Sequence, residues 1–236
     1  MVIKMTNEIL LILSLIFTFS CVMVMFVAFR EQGLFIWTVI ATIAANIEAM
    51  IVVDAFHMEM TLGNILFAST FLVTDILSEL YGKKSAQKAV YLGMVTSVVF
   101  ILISQSWMFY IPSQSDFVMP HIKAVFSNTP RLMLASLIVY FIVQSFDVWA
   151  YHKWWAFTEK KFHDEKRFLW LRNNGSTLLS QLLNTVLFTL GAFFGVYSFE
   201  TLLSIIVSSY LIFIVTSLAD TPFIYLARRI HERRNE

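Results

Sequence analysis

The sequence predicts an all-α polytopic membrane protein, about six to seven transmembrane helices enclosing a central polar cavity. Composition is the first observation behind this. Of 236 residues 58% are hydrophobic and only 14% charged, and the mean hydropathy is +0.72, far from a soluble domain. The second is a succession of apolar stretches of about 20 residues, the length that crosses a hydrocarbon core. The third is a small set of acidic and amide side chains inside those stretches. Residues of that kind are costly in lipid and line polar cavities.

Taken in order, residues 7–29 form the first span. Only Lys4 precedes it as a basic residue and no small-residue cleavage site follows, so a retained helix is expected rather than a signal peptide. Arg30-Glu31-Gln32-Gly33 reads as a tight polar turn. Residues 34–53 are the second span, with Asn46 and Glu48 inside it. The polar piece 54–61 reads as a solvated boundary loop. Its Asp54, His57 and Glu59 have metal-ligand chemistry, but no metal is expected there. Residues 62–81 are the third span, with re-entry as the alternative, and Gly82 suits the end of its helix.

A basic loop from Lys83 to Lys88 leads to the fourth span, 89–110. Residues 111–130, with Pro112, Pro120 and Pro130, read as a loop rather than a helix. The fifth span is 132–151, followed by an aromatic and basic connection, 152–172. The sixth is 177–196, opening at an Asn-Asn-Gly break, and the seventh is 199–225, broken near Asp220-Thr221-Pro222. All 236 residues form one transmembrane domain, in which 1–29 is an additional N-terminal helix.

Charge sets the expected orientation. With the loop after Gly82 in the cytoplasm, the inner set is Arg30, Lys83, Lys84, Lys88, Lys153, Lys160, Lys161, Lys166, Arg167, Arg172, Arg228, Arg229, Arg233 and Arg234. The outer set is Lys4, Lys123 and Arg131. This predicts an outside N-terminus and a cytoplasmic C-terminus. Trp149, Tyr151, Trp154, Trp155 and Phe157 read as an interfacial aromatic belt at the inner end of the fifth span. The net charge of +1 is spread over loops, so no nucleic-acid partner is expected. The single cysteine, Cys21, excludes an intrachain disulfide framework and reads as a packing or lipid-facing residue.

The candidate site comes from the polar residues within the spans. Asp75 and Glu79 are four apart, so on a helix they share a face one turn apart. For Glu79 the simpler role is an interfacial pair with Lys83. Asp75 lies roughly 10 Å below the interface, too deep for that. Gln144 and Asp147 share a face of the fifth span, where an interhelical hydrogen bond is the simpler alternative. Thr177, Gln181 and Asn184 fall at i, i+4 and i+7 and form a polar stripe on the sixth, with Ser180 alongside. Asn46, Glu48 and Asn64 can add to the same cavity. The polar faces of spans three, five and six are expected to meet near the midplane.

TDILSELYGKKSA, PRLMLAS, QSFDVW, LWLRNNGSTLLSQLLNT and DTPFIYLARR, in this order and spacing, resemble the queuosine precursor transporter family, also called the vitamin uptake transporter family. The resemblance covers about residues 44–229. It implies a bacterial inner-membrane importer of 7-deazaguanines (preQ0, preQ1 or the queuine base). Asp75, Glu79, Arg172, Asn173, Ser176, Thr177, Ser180, Gln181 and Asp220 match the family pattern. Two positions depart from it: Asn184 stands where many relatives carry Asp, and Phe213 where they often carry Lys.

The expected cargo-binding set is therefore Asp75, Glu79, Gln144, Asp147, Asn173, Thr177, Gln181, Asn184 and Asn46, with Arg172, Ser176, Ser180 and Asp220 structural or gating. A deazaguanine offers adjacent N–H and NH2 donors that a carboxylate accepts, and a carbonyl that an amide donates to. No phosphate-binding loop is present and no cofactor is expected. Facilitated or proton-coupled alternating access is the favoured mode. The alternatives are a membrane-embedded enzyme using Asp75 and Glu79 as acid and base, or a binding subunit energised by a separate ATPase. Expected partners are the deazapurine, the bilayer and, from Gly191 and Gly195 at GxxxG spacing, a second copy of the chain.

Overall fold

The computed structural model describes residues 6–126, 130–162 and 168–235. Its helices are α1 (Asn7–Glu48), α2 (Gly63–Tyr81), α3 (Lys83–Ser106), α4 (Met119–Phe126), α5 (Pro130–Phe162), α6 (Leu169–Phe193) and α7 (Phe199–Asn235). A short 3-10 turn (Trp107–Phe109) follows α3, and a hairpin of β1 (Val52–Ala55) and β2 (Met58–Thr61) lies between α1 and α2. Six of the helices are long and apolar enough to cross a membrane. The chain is a multi-pass membrane protein.

α1 is two limbs, 7–29 and 31–48, that reverse at Arg30, where φ is 54° and ψ −132°. The reversal brings Gly33 against Met25 so closely that a Cβ there would sit 2.0 Å from the Met25 carbonyl oxygen. Only glycine fits. The returning chain then places Asp54 beside the start of the helix, and Asn7 Nδ2 donates to its carbonyl at 2.8 Å. The two limbs thus run back against each other within what hydropathy counts as one span.

α2 runs unbroken from the hairpin end to the opposite, basic end, so the third segment spans rather than re-enters. Only Gly82 separates it from α3, at φ 83°, a conformation that disfavours any side chain. The expected loop of Lys83 to Lys88 is the first two turns of α3. Other helices also exceed their apolar windows: α5 continues through Lys160 and Lys161, and α6 begins before Arg172, so the Asn-Asn-Gly triplet is helical rather than a break. α7 passes straight through Pro222. Thr221 Oγ1, next to it, donates to the Ser217 carbonyl at 3.4 Å. Residues 119–126 of the expected 111–130 loop are helical.

The GxxxG reading fails on geometry. α6 ends at Phe193, Gly195 lies beyond it at φ 80°, and Gly191 faces Ala135 of α5 within the same chain.

Of the Lys and Arg in the described residues, twelve lie at one end; only Lys123 and Arg131 lie at the other. Lys4, Lys166 and Arg167 fall outside the described residues. The basic end is tied together by long-range contacts: Ser85 Oγ donates to Glu31 at 2.5 Å, Arg234 Nη1 to the Val27 carbonyl at 2.8 Å, and the Tyr81 and His231 rings meet edge-on at 5.4 Å. The main apolar core sits above this end and joins α1, α2, α3 and α7 around Phe19, Leu34, Leu72, Ile76 and Ile224. Cys21 packs at its margin.

α6 inverts the soluble-protein pattern. Arg172, Asn173, Ser176, Thr177, Ser180 and Gln181 are buried, while Leu179, Leu182 and Leu190 are exposed. A helix folds this way when lipid takes the apolar face and neighbouring helices take the polar one.

Candidate functional site

The structure has openings at both ends. From the hairpin end, a cleft of about 640 Å³ runs between the hairpin, α6 and α7. It continues into a narrow recess of about 80 Å³, walled by Asn46, Asn64, Tyr140, Asn184 and Phe213, with Thr70 on the α2 side. Asn184 and Phe213, the two departures from the family pattern, line both. At the basic end lies a separate cavity of about 410 Å³ lined by Ser78, Glu79, Gly82, His152, Trp155 and Glu159.

Between them is a buried polar layer. α5 and α6 supply it from polar stripes that turn inward where the other face is exposed to lipid, while α2 is buried all round from Ala68 to Ser78. Gln144 Nε2 donates to Thr70 Oγ1 at 2.6 Å, and Thr74 Oγ1 donates to Gln144 Oε1 at 3.3 Å, so α2 occupies both ends of that amide. Asp75 is fully buried; Thr177 Oγ1 donates to its Oδ2 at 3.1 Å while its Oδ1 has no protein partner. Asp147 is arranged in the same way: Ser180 Oγ donates to Oδ1 at 2.8 Å, and Oδ2 is unpartnered. Thr177 and Ser180 are adjacent on α6, so one helix presents both acids. Gln181 Nε2 beside them is also unpartnered.

Nearer the basic end, Asn173 Nδ2 donates to Asp220 Oδ1 at 2.8 Å and to Thr221 Oγ1 at 3.2 Å, joining α6 to α7. Ser176 Oγ donates to the Asn173 carbonyl at 3.1 Å. Asn46 likewise donates to its own helix, at the Thr42 carbonyl (2.8 Å), while facing the recess.

Glu79 belongs to a different structure from Asp75. Arg172 grips it through Nε to Oε2 (2.9 Å) and Nη2 to both oxygens; the Tyr151 hydroxyl donates to Oε2 at 2.7 Å, and Arg228 Nη1 stands 3.3 Å from Oε1. The interfacial pair with Lys83 is not what holds Glu79. The Arg172 guanidinium carbon sits 4.3 Å from the Trp155 ring centre, and Trp155 stacks on His152 at an interplanar angle of 4°. Tyr151 is thus a buried ligand of Glu79 rather than a member of the aromatic belt, whose exposed residues are Trp149 and Phe157. This cluster stands between the polar layer and the basic-end cavity.

Sequence reasoning missed Thr70, Tyr151 and Arg228 as site residues. A threonine in an apolar span carries no signal of its own. Arg228 reads as one more positive-inside charge until the fold sets it beside Glu79.

The chain matches a family model described as "Putative vitamin uptake transporter" over residues 61–227. It is 35% identical over 226 residues, 96% of each chain, to a protein of Bacillus subtilis (strain 168) named "Probable queuosine precursor transporter". No solved structure matches it. The family is one of transporters, not enzymes, which removes the acid-base reading of Asp75 and Glu79. With most of its length matched by that model and a relative aligned across nearly all of it, the chain belongs to the vitamin uptake transporter family.

Proposed function

We propose that this protein imports 7-deazaguanine precursors of queuosine across the bacterial inner membrane by alternating access. The observation that carries the reading is the buried acid-and-amide layer between the hairpin-side recess and the basic-end cavity, with Thr70 and Gln144 between it and the recess and the cluster of Glu79 and Arg172 on its basic side. Transporter sites lie near the midplane between elements that open alternately. The resemblance to the Bacillus queuosine precursor transporter supports the cargo class.

The twelve-to-two distribution of basic residues supports a cytoplasmic basic end and an outside hairpin end. The conformation described is then outward-facing. A flat base descends the cleft past Asn46 and Asn184, displaces the packing around Thr70 and Gln144, and reaches Asp75 and Asp147. Phe67 and Phe188, which line the recess, offer ring faces to stack on, each worth about 1–3 kcal/mol by analogy with other base-binding proteins. Opening Glu79 from Arg172 and Arg228 then releases the base toward the cytoplasm. An aminomethyl cargo brings a cation, for which the second carboxylate is the natural partner.

The test is uptake of labelled preQ0, preQ1 and queuine into proteoliposomes holding the purified chain, with and without a proton gradient, and with guanine as competitor. Saturable uptake without an added ATPase is expected, and stimulation by an inward proton gradient identifies proton coupling. Uptake that requires a co-purifying ATPase supports the binding-subunit alternative, and no uptake of any of the three contradicts the proposal.

A further inference from the structure

The polar layer holds an uneven set of unused valences. Glu79 is saturated by two arginines and a tyrosine, and both the nitrogen and the oxygen of Gln144 are already engaged by threonines of α2. Asp75 Oδ1, Asp147 Oδ2 and Gln181 Nε2 are free, on side chains that are 0, 0 and 1% exposed. Two are acceptors and one is a donor. An unmade hydrogen bond on a buried group costs about 1–3 kcal/mol, and in a native structure such a group calls for a specific explanation.

Their spacing fits one small ligand. Thr177 and Ser180, which hold the two carboxylates, are three residues apart, about 4.5 Å along α6, and Gln181 follows Ser180 directly. Asn184 Nδ2 lies 3.5 Å from Gln181 Oε1, which turns the Gln181 amide so that its NH2 is the end left free. The buried layer therefore offers acceptor, acceptor and donor on side chains that meet one turn of α6. Its complement is a planar edge with two neighbouring N–H donors followed by a carbonyl.

Building on the transport reading above, we propose that Asp75, Asp147 and Gln181 are the specificity-determining residues. The two carboxylates accept the ring N–H and exocyclic amine of a 2-amino-6-oxo base, and Gln181 donates to its carbonyl. A base without the amine leaves one carboxylate oxygen unpaired. A base with an amine in place of the carbonyl sets donor against donor at Gln181 and, because its ring nitrogen then carries no proton, acceptor against acceptor at the neighbouring carboxylate. Sites built on buried hydrogen bonds reject such analogues strongly, because the protein group is then left unpaired.

The test is equilibrium competition on the purified full-length protein, with labelled 7-deazaguanine displaced by 7-deazahypoxanthine or by 2,6-diamino-7-deazapurine. In the wild type each analogue is expected to bind at least about tenfold more weakly than 7-deazaguanine, one lost hydrogen bond being worth about 1.4 kcal/mol. In Gln181→Glu, which turns the donor into an acceptor, the diamino base should gain at least about tenfold relative to 7-deazaguanine. Tight 7-deazaguanine binding with equal affinity for the analogues overturns this assignment alone, as does an unchanged ratio in folded Gln181→Glu. If that variant does not fold, the wild-type ranking decides. No binding of 7-deazaguanine by folded wild type overturns the assignment and the transport reading together.

Discussion

Replacing Arg172 by glutamine removes the main counter-charge of Glu79 and leaves a shorter, neutral, polar side chain in its place. Removing one partner of a buried ion pair costs about 3–5 kcal/mol, because the other charge is left uncompensated. Here Tyr151 and Arg228 remain on Glu79, and Arg228 is partly exposed, which places the cost near the lower figure, about 3 kcal/mol. On the alternating-access proposal, the network exists only while the basic end is closed. The penalty therefore falls on the outward-facing state and shifts the equilibrium toward inward-facing by roughly 150-fold. Cysteine accessibility reads this directly. In a Cys21→Ser background, Asn64→Cys reports on the hairpin-side recess and Ser78→Cys on the basic-end cavity. Arg172→Gln should slow modification of Asn64→Cys and speed that of Ser78→Cys by more than tenfold. If both rates are unchanged while the thermal midpoint falls, the cluster holds the fold together and does not gate it.

Other sites carry independent predictions. Arg30 occupies a backbone region that costs a side chain about 1–3 kcal/mol, so Arg30→Gly should raise the thermal midpoint, whereas a fall shows that Arg30 contributes more than it strains. The hairpin turns through Phe56 and His57, both at positive φ, which Asn-Gly adopts more readily; Phe56→Asn with His57→Gly should increase amide protection across residues 52–61, and unchanged protection would count against the hairpin. Asn184 and Phe213 line one recess, so Asn184→Asp alone should impair uptake, and adding Phe213→Lys should restore part of it. Strictly additive losses would show that the two positions do not interact.

Much of the site is legible in the sequence because an acid or amide in an apolar span has few structural uses. Asp75, Gln144, Asp147, Thr177 and Gln181 are found by type and helical spacing alone, and the structure buries all of them between α2, α5 and α6. Partners are not legible in that way. Glu79 reads as paired with Lys83 because the pair is local, yet its cation lies 93 residues away and requires the packed fold. Helix ends also escape hydropathy, which detects only the part of a helix that lipid surrounds. Lys83 to Lys88 and the start of α6 are polar and still helical. The hairpin is missed because Phe-His carries none of the usual turn chemistry. Pro222 marks no break because membrane helices tolerate an interior proline, and α7 continues through it.

The most direct test of the central claim, that the buried layer is the cargo site, is equilibrium binding of preQ0 and preQ1 to purified protein with and without Asp75→Asn. The exchange keeps the shape and the contact with Thr177 but turns an acceptor into a donor in half of its orientations. Tight binding by the wild type that weakens at least about tenfold in the folded variant is the predicted result, equivalent to the loss of one buried hydrogen bond or more. Undiminished binding in Asp75→Asn contradicts it and places the cargo elsewhere.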